Sequence, residues 1–454
     1  MEMNQPQDIG ARKSWVGSAN DASVGFPLQS LPYCSFVPAS TPDATPHLGV
    51  GIGSFILDLH QLHATRQLTA LSASIQTACT AAQLNPLMRC GPPAWSALRQ
   101  LLFTLLKADD DPGKRNEGRG NFNQRQTVAS SMVPMEHVRF HKPVAVESYT
   151  DFYASIHHAT NVGRLFRPDQ PLLPNYCWIP IGYNARASSL VISGTPIRRP
   201  CGQIKFKGEP APVFEPTIQL DYELEVAAYI GIGNTLGTRI PIAAAEQHLF
   251  GLSLLNDWSA RDIQAWEYQP LGPFLGKSFA TSLSPWVLPM EALRPYRVPL
   301  ASRQPTEPQP LPYLTEHPST QPSGLDLTLD VLLTTAHMRE HSLPPARLSL
   351  SNLRDLYWSF PQMLTHHTSN GCNLVPGDII ASGTVSGPAP GSQGSMLEIT
   401  QRGTSPLRLP TGEIREFLAD GDEIILRGFC ERPGHPRITF GECRGTIQPA
   451  ISLS

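Results

Sequence analysis

Forty-five prolines and 35 glycines among 454 residues constrain this chain more than any other feature of its sequence. Proline removes a backbone donor and fixes φ, while glycine weakens the interior of helices and strands. Short strands joined by many turns are therefore expected in place of long helices. The length suits two or three domains, or one large unit with an appendage, and allows a sizeable core. Charged residues make up 16 % of the chain and hydrophobic ones 41 %, which excludes a disordered polyelectrolyte. Lys and Arg (35) nearly balance Asp and Glu (38), so charge gives no reason to expect a nucleic-acid partner. The eight cysteines, at 34, 79, 90, 177, 201, 372, 430 and 443, form no C-x-x-C and no patterned framework. Free thiols in a reducing compartment are the expectation. The first residues contain no apolar leader segment, and no run of eighteen apolar residues occurs, so the expected location is cytoplasmic with no membrane span.

Residues 1–22 are polar and read as a flexible arm. Leu48 to Leu59 alternates glycine with apolar residues and turns at Asp58, the pattern of a hairpin in a small barrel. Pro92 and Pro93 open a helix whose apolar stripe is Trp95, Leu98, Leu101, Leu102, Leu105 and Leu106. Residues 107–130 lack apolar periodicity and read as a loop or linker at a domain boundary. A proline-rich stretch, 300–324, reads as a surface excursion of the larger domain. The expected organisation is an arm (1–22), an N-terminal domain with its helix and linker (23–140), and a mainly β, α+β catalytic domain (141–454). There is no internal repeat.

Four segments place charge within apolar text, which is costly unless the charge is paired, bound to metal or used. In residues 217–233, Ile218, Leu220, Tyr222, Leu224 and Val226 alternate with Asp221, Glu223 and Glu225. Carboxylates two apart on a strand point the same way, roughly 6.5–7 Å apart at the backbone. A hard divalent cation would remove their repulsion, and a solvated strand face is the alternative. In residues 253–286, a helix from Asp257 to Tyr268 would put Asp257, Arg261, Gln264 and Tyr268 on one face. That face offers a metal ligand and donors for an oxyanion, or else a salt-bridged surface helix. Lys277 follows a G-x-x-x-G-K-S string, one residue short of a phosphate loop and interrupted by proline. The glycines at 231–237 fail the dinucleotide spacing. Residues 151–167 crowd together Asp151, Tyr153, His157, His158 and Arg167. The adjacent histidines suit one general base and one packing residue without saying which is which. His366 and His367 form a similar pair. In residues 378–399, glycine-rich loops present Thr384, and Glu398 lies among Met396, Leu397 and Ile399. A carboxylate buried there wants a partner, and a histidine would have its tautomer fixed by it.

Taken in order, YTDFYAS, HATNVGRLFR, IPIGYNARASS, SGTPIRRPCGQ, LDYELE, NDWSARDIQAWEYQPLGPFLGKSF, LTHHTSNGCNLVPGD, ASGTVSGP and GSMLE resemble the fumarylacetoacetate hydrolase family across nearly the whole chain. The resemblance implies an SH3-like N-terminal barrel, a large mixed β-roll and a homodimer. It implies hydrolysis of a carbon–carbon bond in a diketo acid, 4-fumarylacetoacetate, as the last step of tyrosine and phenylalanine catabolism. His158 would activate water, oriented by Glu398. Asp151, Glu223, Glu225 and Asp257 would bind Ca²⁺, which would stabilise the departing enolate. Arg261, Gln264 and Lys277 would meet the oxyanion. Tyr153, Arg167, Tyr183, Gln264, Tyr268 and Thr384 would contact substrate. A Mg²⁺ site is implied near Asp257, Lys277 and Thr281, with a main-chain oxygen serving at Lys277.

The chain departs from the family at Asn184 and Ala185, where His and Gly are usual. Alanine in place of glycine is expected to restrict the backbone beside Tyr183. The 107–130 loop and the N-terminal arm also look extended. These departures bear on substrate identity, and the alternative is another diketone or acylpyruvate hydrolase, or a β-keto acid decarboxylase.

Overall fold

A computed structural model describes residues 12–21, 23, 25–108, 119–316 and 322–452. The described chain is α+β and strand-dominated. Its longest helix is Pro92–Leu106, with both prolines in the first turn, where a missing donor costs nothing. Leu98, Leu102, Leu105 and Leu106 are buried along the expected stripe.

A five-stranded sheet forms the N-terminal part, in the order Met132–Pro134, Phe55–Asp58, His47–Ile52, Tyr33–Pro38, Val138–His141. The expected hairpin is its centre, with Gly49 opposite Asp58 and Ile52 opposite Phe55. Two expectations need correction. Residues Arg119–Ser130 are helical, not a loop, and the chain returns from them to the same sheet. Val128 is fully buried there, too isolated a contact to leave a periodic signal. Residues 109–118 lie outside the described residues. Residues 12–21 are likewise no free arm. The Ser14 hydroxyl and the Trp15 indole donate to the carbonyls of Leu106 and Leu105, at 2.6 and 2.8 Å. Those carbonyls end a helix and need donors. Residues 1–11 and 22 lie outside the described residues.

The larger part contains an eight-stranded sheet ordered Gly182–Ala185, Tyr149–Phe152, Ile379–Ala381, Leu224–Ile230, Leu249–Asp257, Thr281–Leu283, Leu190–Ile192, with Leu288–Pro289 also paired to Leu249–Asp257. A second sheet joins Ala346–Asn352, Thr328–Thr334, Glu423–Arg432, His435–Gln448 and Ile197–Arg198. Every residue of Leu224–Ile230 is buried. Leu224, Val226 and Ala228 join one core, while Ala227 and Tyr229 join the other. The strand therefore has no solvated face. Ile218, expected to pack, is 61 % exposed because it precedes the paired strand.

The proline-rich excursion is pinned where it is described; residues 317–321 of it lie outside the described residues. The Arg303 guanidinium sits 4.2 and 4.5 Å from the ring centroids of Tyr357 and Trp358. The Tyr313 hydroxyl lies 3.0 Å from His366 Nδ1. His367 is engaged on the other side, Nε2 to Thr150 Oγ1 at 2.8 Å. This second histidine pair thus ties structure together.

Candidate active site and metal centre

Four carboxylates, Asp151, Glu223, Glu225 and Asp257, bring oxygens within 4.8 Å of one another, and all are buried. Asp151, Glu225 and Asp257 arrive from three strands, and Glu223 from the unpaired segment just before Leu224–Ile230. Asp151 lies opposite Ala381 in a parallel pair, and Glu225 lies opposite Leu255 in the central antiparallel pair. Asp257 ends the strand Leu249–Asp257, opposite Thr281, and is not on a helix as its spacing had suggested. The helix begins only at Arg261 and ends at Glu267, so it carries Arg261 and Gln264 with Tyr268 at its end. Asp221, grouped by alternation with Glu223 and Glu225, turns elsewhere. It accepts from Arg261 Nε at 2.9 Å and from the amides of Met396 and Leu397 at 2.7 and 3.0 Å.

The donor set suits a hard cation. Asp151 Oδ1 and both oxygens of Glu225 are buried with no hydrogen-bond donor among the described residues. Among the described residues, the fixed cations paired with these buried carboxylates and Asp221 are Lys277 and Arg261. Oxygen-only ligands with surplus negative charge are what Ca²⁺ or Mg²⁺ takes. Burial pushes the Asp151 carboxyl well above its usual range, and Asp257 adds to the effect. Burial, and then Asp151, do the same to Glu225. Burial raises Asp257 too, although Lys277 opposes it. Glu223 goes the other way. Burial disfavours its charge, yet Lys277 and Arg261 hold its carboxyl far below the ordinary value.

Lys277 sends its ammonium into the cluster, donating to Glu223 and, at 2.7 Å, to Asp257 Oδ2. The Thr281 hydroxyl is 3.3 Å from Asp257 Oδ1. The short helix Leu275–Ser278 that carries Lys277 is held by Glu267, whose carboxylate accepts the amides of Phe274, Leu275 and Gly276 at 2.7–3.0 Å. Gly276 is needed for this approach, since a Cβ there would lie 2.8 Å from the Gln264 backbone nitrogen. Arg261 Nη1 reaches Glu223 Oε1 at 2.8 Å and Gln264 Oε1 at 3.3 Å.

The two adjacent histidines are placed differently. His158 is buried on the helix Ile156–Phe166, its amide capped by Ser155 Oγ at 3.2 Å. Its Nδ1 lies 2.7 Å from Glu398 Oε2, and its Nε2 lies 3.9 Å from Glu223 Oε1. The Tyr153 ring stands edge-on to it at 5.3 Å. His157 is half-buried and outside the cluster; burial lowers its pKa. Glu398 is the buried carboxylate its sequence setting suggested. Burial opposes its charge, but His158 and the surrounding donors bring its pKa below the usual value.

Buried donors without partners among the described residues include Arg167 Nε, Arg261 Nη2 and Thr384 Oγ1. Arg167 Nη2 donates to the Pro171 carbonyl at 3.3 Å. Gly383, at φ 70°, lets the chain pass the Phe152 carbonyl to present Thr384; a Cβ there would lie 2.0 Å from that oxygen. The Tyr183 hydroxyl donates to Asp257 Oδ2 at 3.0 Å. Tyr268 is half-buried, its amide donating to Gln264 O at 3.0 Å. Asn184 is exposed, whereas Ala185 faces the same side as Tyr183 in extended strand opposite Tyr149. The expected backbone restriction at Ala185 does not arise, because any residue adopts extended strand geometry.

Several residues escaped the sequence reading. Glu398 also accepts from Asn161 Nδ2 at 2.9 Å, Ser386 Oγ at 3.0 Å and Ser395 Oγ at 2.9 Å. Ser395 and Glu398 have the S-x-x-E capping spacing, a signal that was available. Asn161 lies three residues after His158, one helical turn away. Glu267 carried no comparable signal.

The family description "Fumarylacetoacetate (FAA) hydrolase C-terminal" matches residues 147–448, and "Fumarylacetoacetase N-terminal" matches residues 29–143. Proteins named fumarylacetoacetase are similar over nearly their full length. The human one is 44 % identical over 439 residues, covering 96 % of this chain and 99 % of its own. That of Caenorhabditis elegans is 46 % identical, covering 96 % and 99 %, and that of Arabidopsis thaliana 42 %, covering 96 % and 99 %. A solved fumarylacetoacetate hydrolase from Exiguobacterium antarcticum aligns over 92 % of this chain and 99 % of its own, at 16 % identity and a TM-score of 0.48. No described helix is long and apolar enough to cross a membrane. With both family regions matched and relatives this similar end to end, the chain belongs to the fumarylacetoacetate hydrolase family.

Proposed function

We propose that the chain hydrolyses the carbon–carbon bond of 4-fumarylacetoacetate to fumarate and acetoacetate, the closing step of tyrosine and phenylalanine catabolism. The observation that carries this reading is His158, anchored by Glu398 at 2.7 Å and 3.9 Å from a buried cluster of four carboxylates. The names of the relatives support the substrate.

In this reading His158 Nε2 removes a proton from water, a step worth about 10²–10⁴-fold. The water oxygen adds to the carbonyl carbon adjoining the fumaryl group. The tetrahedral centre then collapses to the fumarate carboxyl group, breaking its bond to the acetoacetate carbon. The electron pair departs as the enolate, and His158 returns its proton to that carbon. Glu398 stays ionised and stabilises the imidazolium. Arg261, Gln264 and Lys277 meet the oxyanion, where oriented charge counts most. Tyr153, Tyr183, Tyr268 and Thr384 contact substrate, and Arg167 clamps a carboxylate. Asp151, Glu223, Glu225 and Asp257 would hold Ca²⁺, and Asp257, Thr281 and the Lys277 main chain would hold Mg²⁺. A bound cation supplies stabilisation of negative charge developing on the diketone oxygens.

A homodimer belongs to the proposal. Phe214, Ile218, Trp266, Leu271 and Phe274 are exposed around the helix Arg261–Glu267. The Trp266 indole donates to Gln203 at 3.2 Å, joining that helix to the hairpin that bears Phe214. Eight free thiols support a cytoplasmic location. The test is purified protein with fumarylacetoacetate, with and without chelator, reading fumarate. Chelator-sensitive turnover is expected. Equal or better turnover of an acylpyruvate would overturn the substrate, and absence of turnover would overturn the reaction.

A further inference from the structure

Asn161 lies outside every role given above, yet it shares one carboxylate with His158. The two donors sit three residues apart on the helix Ile156–Phe166. His158 Nδ1 meets Glu398 Oε2 at 2.7 Å, and Asn161 Nδ2 meets Glu398 Oε1 at 2.9 Å. One helical turn thus presents two donors to the two oxygens of a single carboxylate.

The two oxygens are served unequally. Oε2 also accepts the hydroxyls of Ser386 and Ser395, at 3.0 and 2.9 Å. Asn161 supplies the hydrogen bond on Oε1. Three donors converging on one oxygen locate that oxygen, but the carboxylate plane can still turn about it. A contact on the second oxygen stops the rotation. Hydroxyl groups rotate to follow an acceptor, whereas the Asn161 amide is held by the backbone that also carries His158. The plane of Glu398 sets the direction from which Nδ1–H is met, and so the heading of Nε2.

We infer that Asn161 is a positioning residue for the hydrolytic step, fixing the plane of Glu398 and through it the imidazole of His158. This rests on the proposed His158–Glu398 base, and the test separates the two. In a double-mutant cycle, kcat and KM for fumarylacetoacetate are measured for Asn161→Ala, Glu398→Gln and the pair. Asn161→Ala should lower kcat about 10–100-fold, as loss of an orienting partner does. KM and Ca²⁺ affinity, read by calorimetry on the folded protein, should stay within about twofold. In the Glu398→Gln background the same change should cost less than about threefold, because Asn161 acts only through that carboxylate.

Asn161→Asp tests the chemistry without changing the volume. It sets an acceptor against Oε1, and kcat should fall at least as far as with alanine. An aspartate variant with wild-type kcat would overturn the inference. So would additive losses in the double mutant, or a fall expressed in KM. If Glu398→Gln alone leaves kcat unchanged, the underlying base assignment fails, and the inference fails with it.

Discussion

Replacing Glu225 with glutamine should act in opposite directions on the metal-free and metal-loaded protein. Both Glu225 oxygens are buried without a donor among the described residues, and the carboxylate lies within 4.8 Å of those of Asp151, Glu223 and Asp257. Two unit charges at that separation repel by about 3.5 kcal/mol at an effective dielectric of about 20. Proton uptake relieves part of this without metal, and Lys277 offsets more, leaving roughly 1–2 kcal/mol for the neutral amide to recover. Without metal, the E225Q protein should therefore melt higher, by about 1 °C per kcal/mol, because about 2.1 cal/mol/K per residue over 454 residues gives an unfolding entropy of about 1 kcal/mol/K. With Ca²⁺ present the amide is a poorer ligand than a carboxylate, and each tenfold loss of affinity removes about 1.4 kcal/mol of cation-dependent stability. The assay is thermal unfolding of both proteins in chelator and in excess Ca²⁺. Equal shifts in the two conditions, or a lower melting point in chelator, would refute the reasoning that Glu225 is held for a cation.

Other outcomes follow from the same geometry. His158→Ala should abolish turnover in a fumarate-release assay while calorimetry finds Ca²⁺ affinity intact. Glu398→Gln should lower kcat by about 10²–10⁴-fold in the same assay, because its amide must face either His158 Nδ1–H and two hydroxyls or the Asn161 amide. Burial raises the carboxyl pKa values of Asp151 and Glu225 in the metal-free fold. A raised carboxyl costs stability as pH climbs from its unfolded value through its folded one, so the gap in Tm between Ca²⁺-loaded and chelated protein should widen as pH rises above about 4. Gly276→Ala pushes a Cβ to 2.8 Å from Gln264. It should cost about 1–3 kcal/mol in denaturant unfolding and lower kcat by displacing Lys277.

The strand hairpin, the Pro92 helix and the carboxylate pair at 223 and 225 were legible because each repeats a period within a few residues. Asp221 obeyed the same alternation and still left the cluster. The segment at 222–223 is not paired as strand, and Arg261 competes for the carboxylate. Asp257 was placed on a helix because the i, i+4, i+7 spacing with Arg261 and Gln264 is real, but a buried nine-residue strand ends at Asp257 first. Choosing between His157 and His158 required Glu398, 240 residues away, which no local pattern encodes. Ser386 was invisible for the same reason.

Three of the cluster's carboxylates, Asp151, Glu225 and Asp257, stand on three strands of one sheet, with Ile379–Ala381 between the first two. Sliding any of these strands by one residue would turn its acid to the opposite face. A cation that binds tightly there certifies correct pairing across the middle of the sheet, so tight loading doubles as quality control on how the chain has folded.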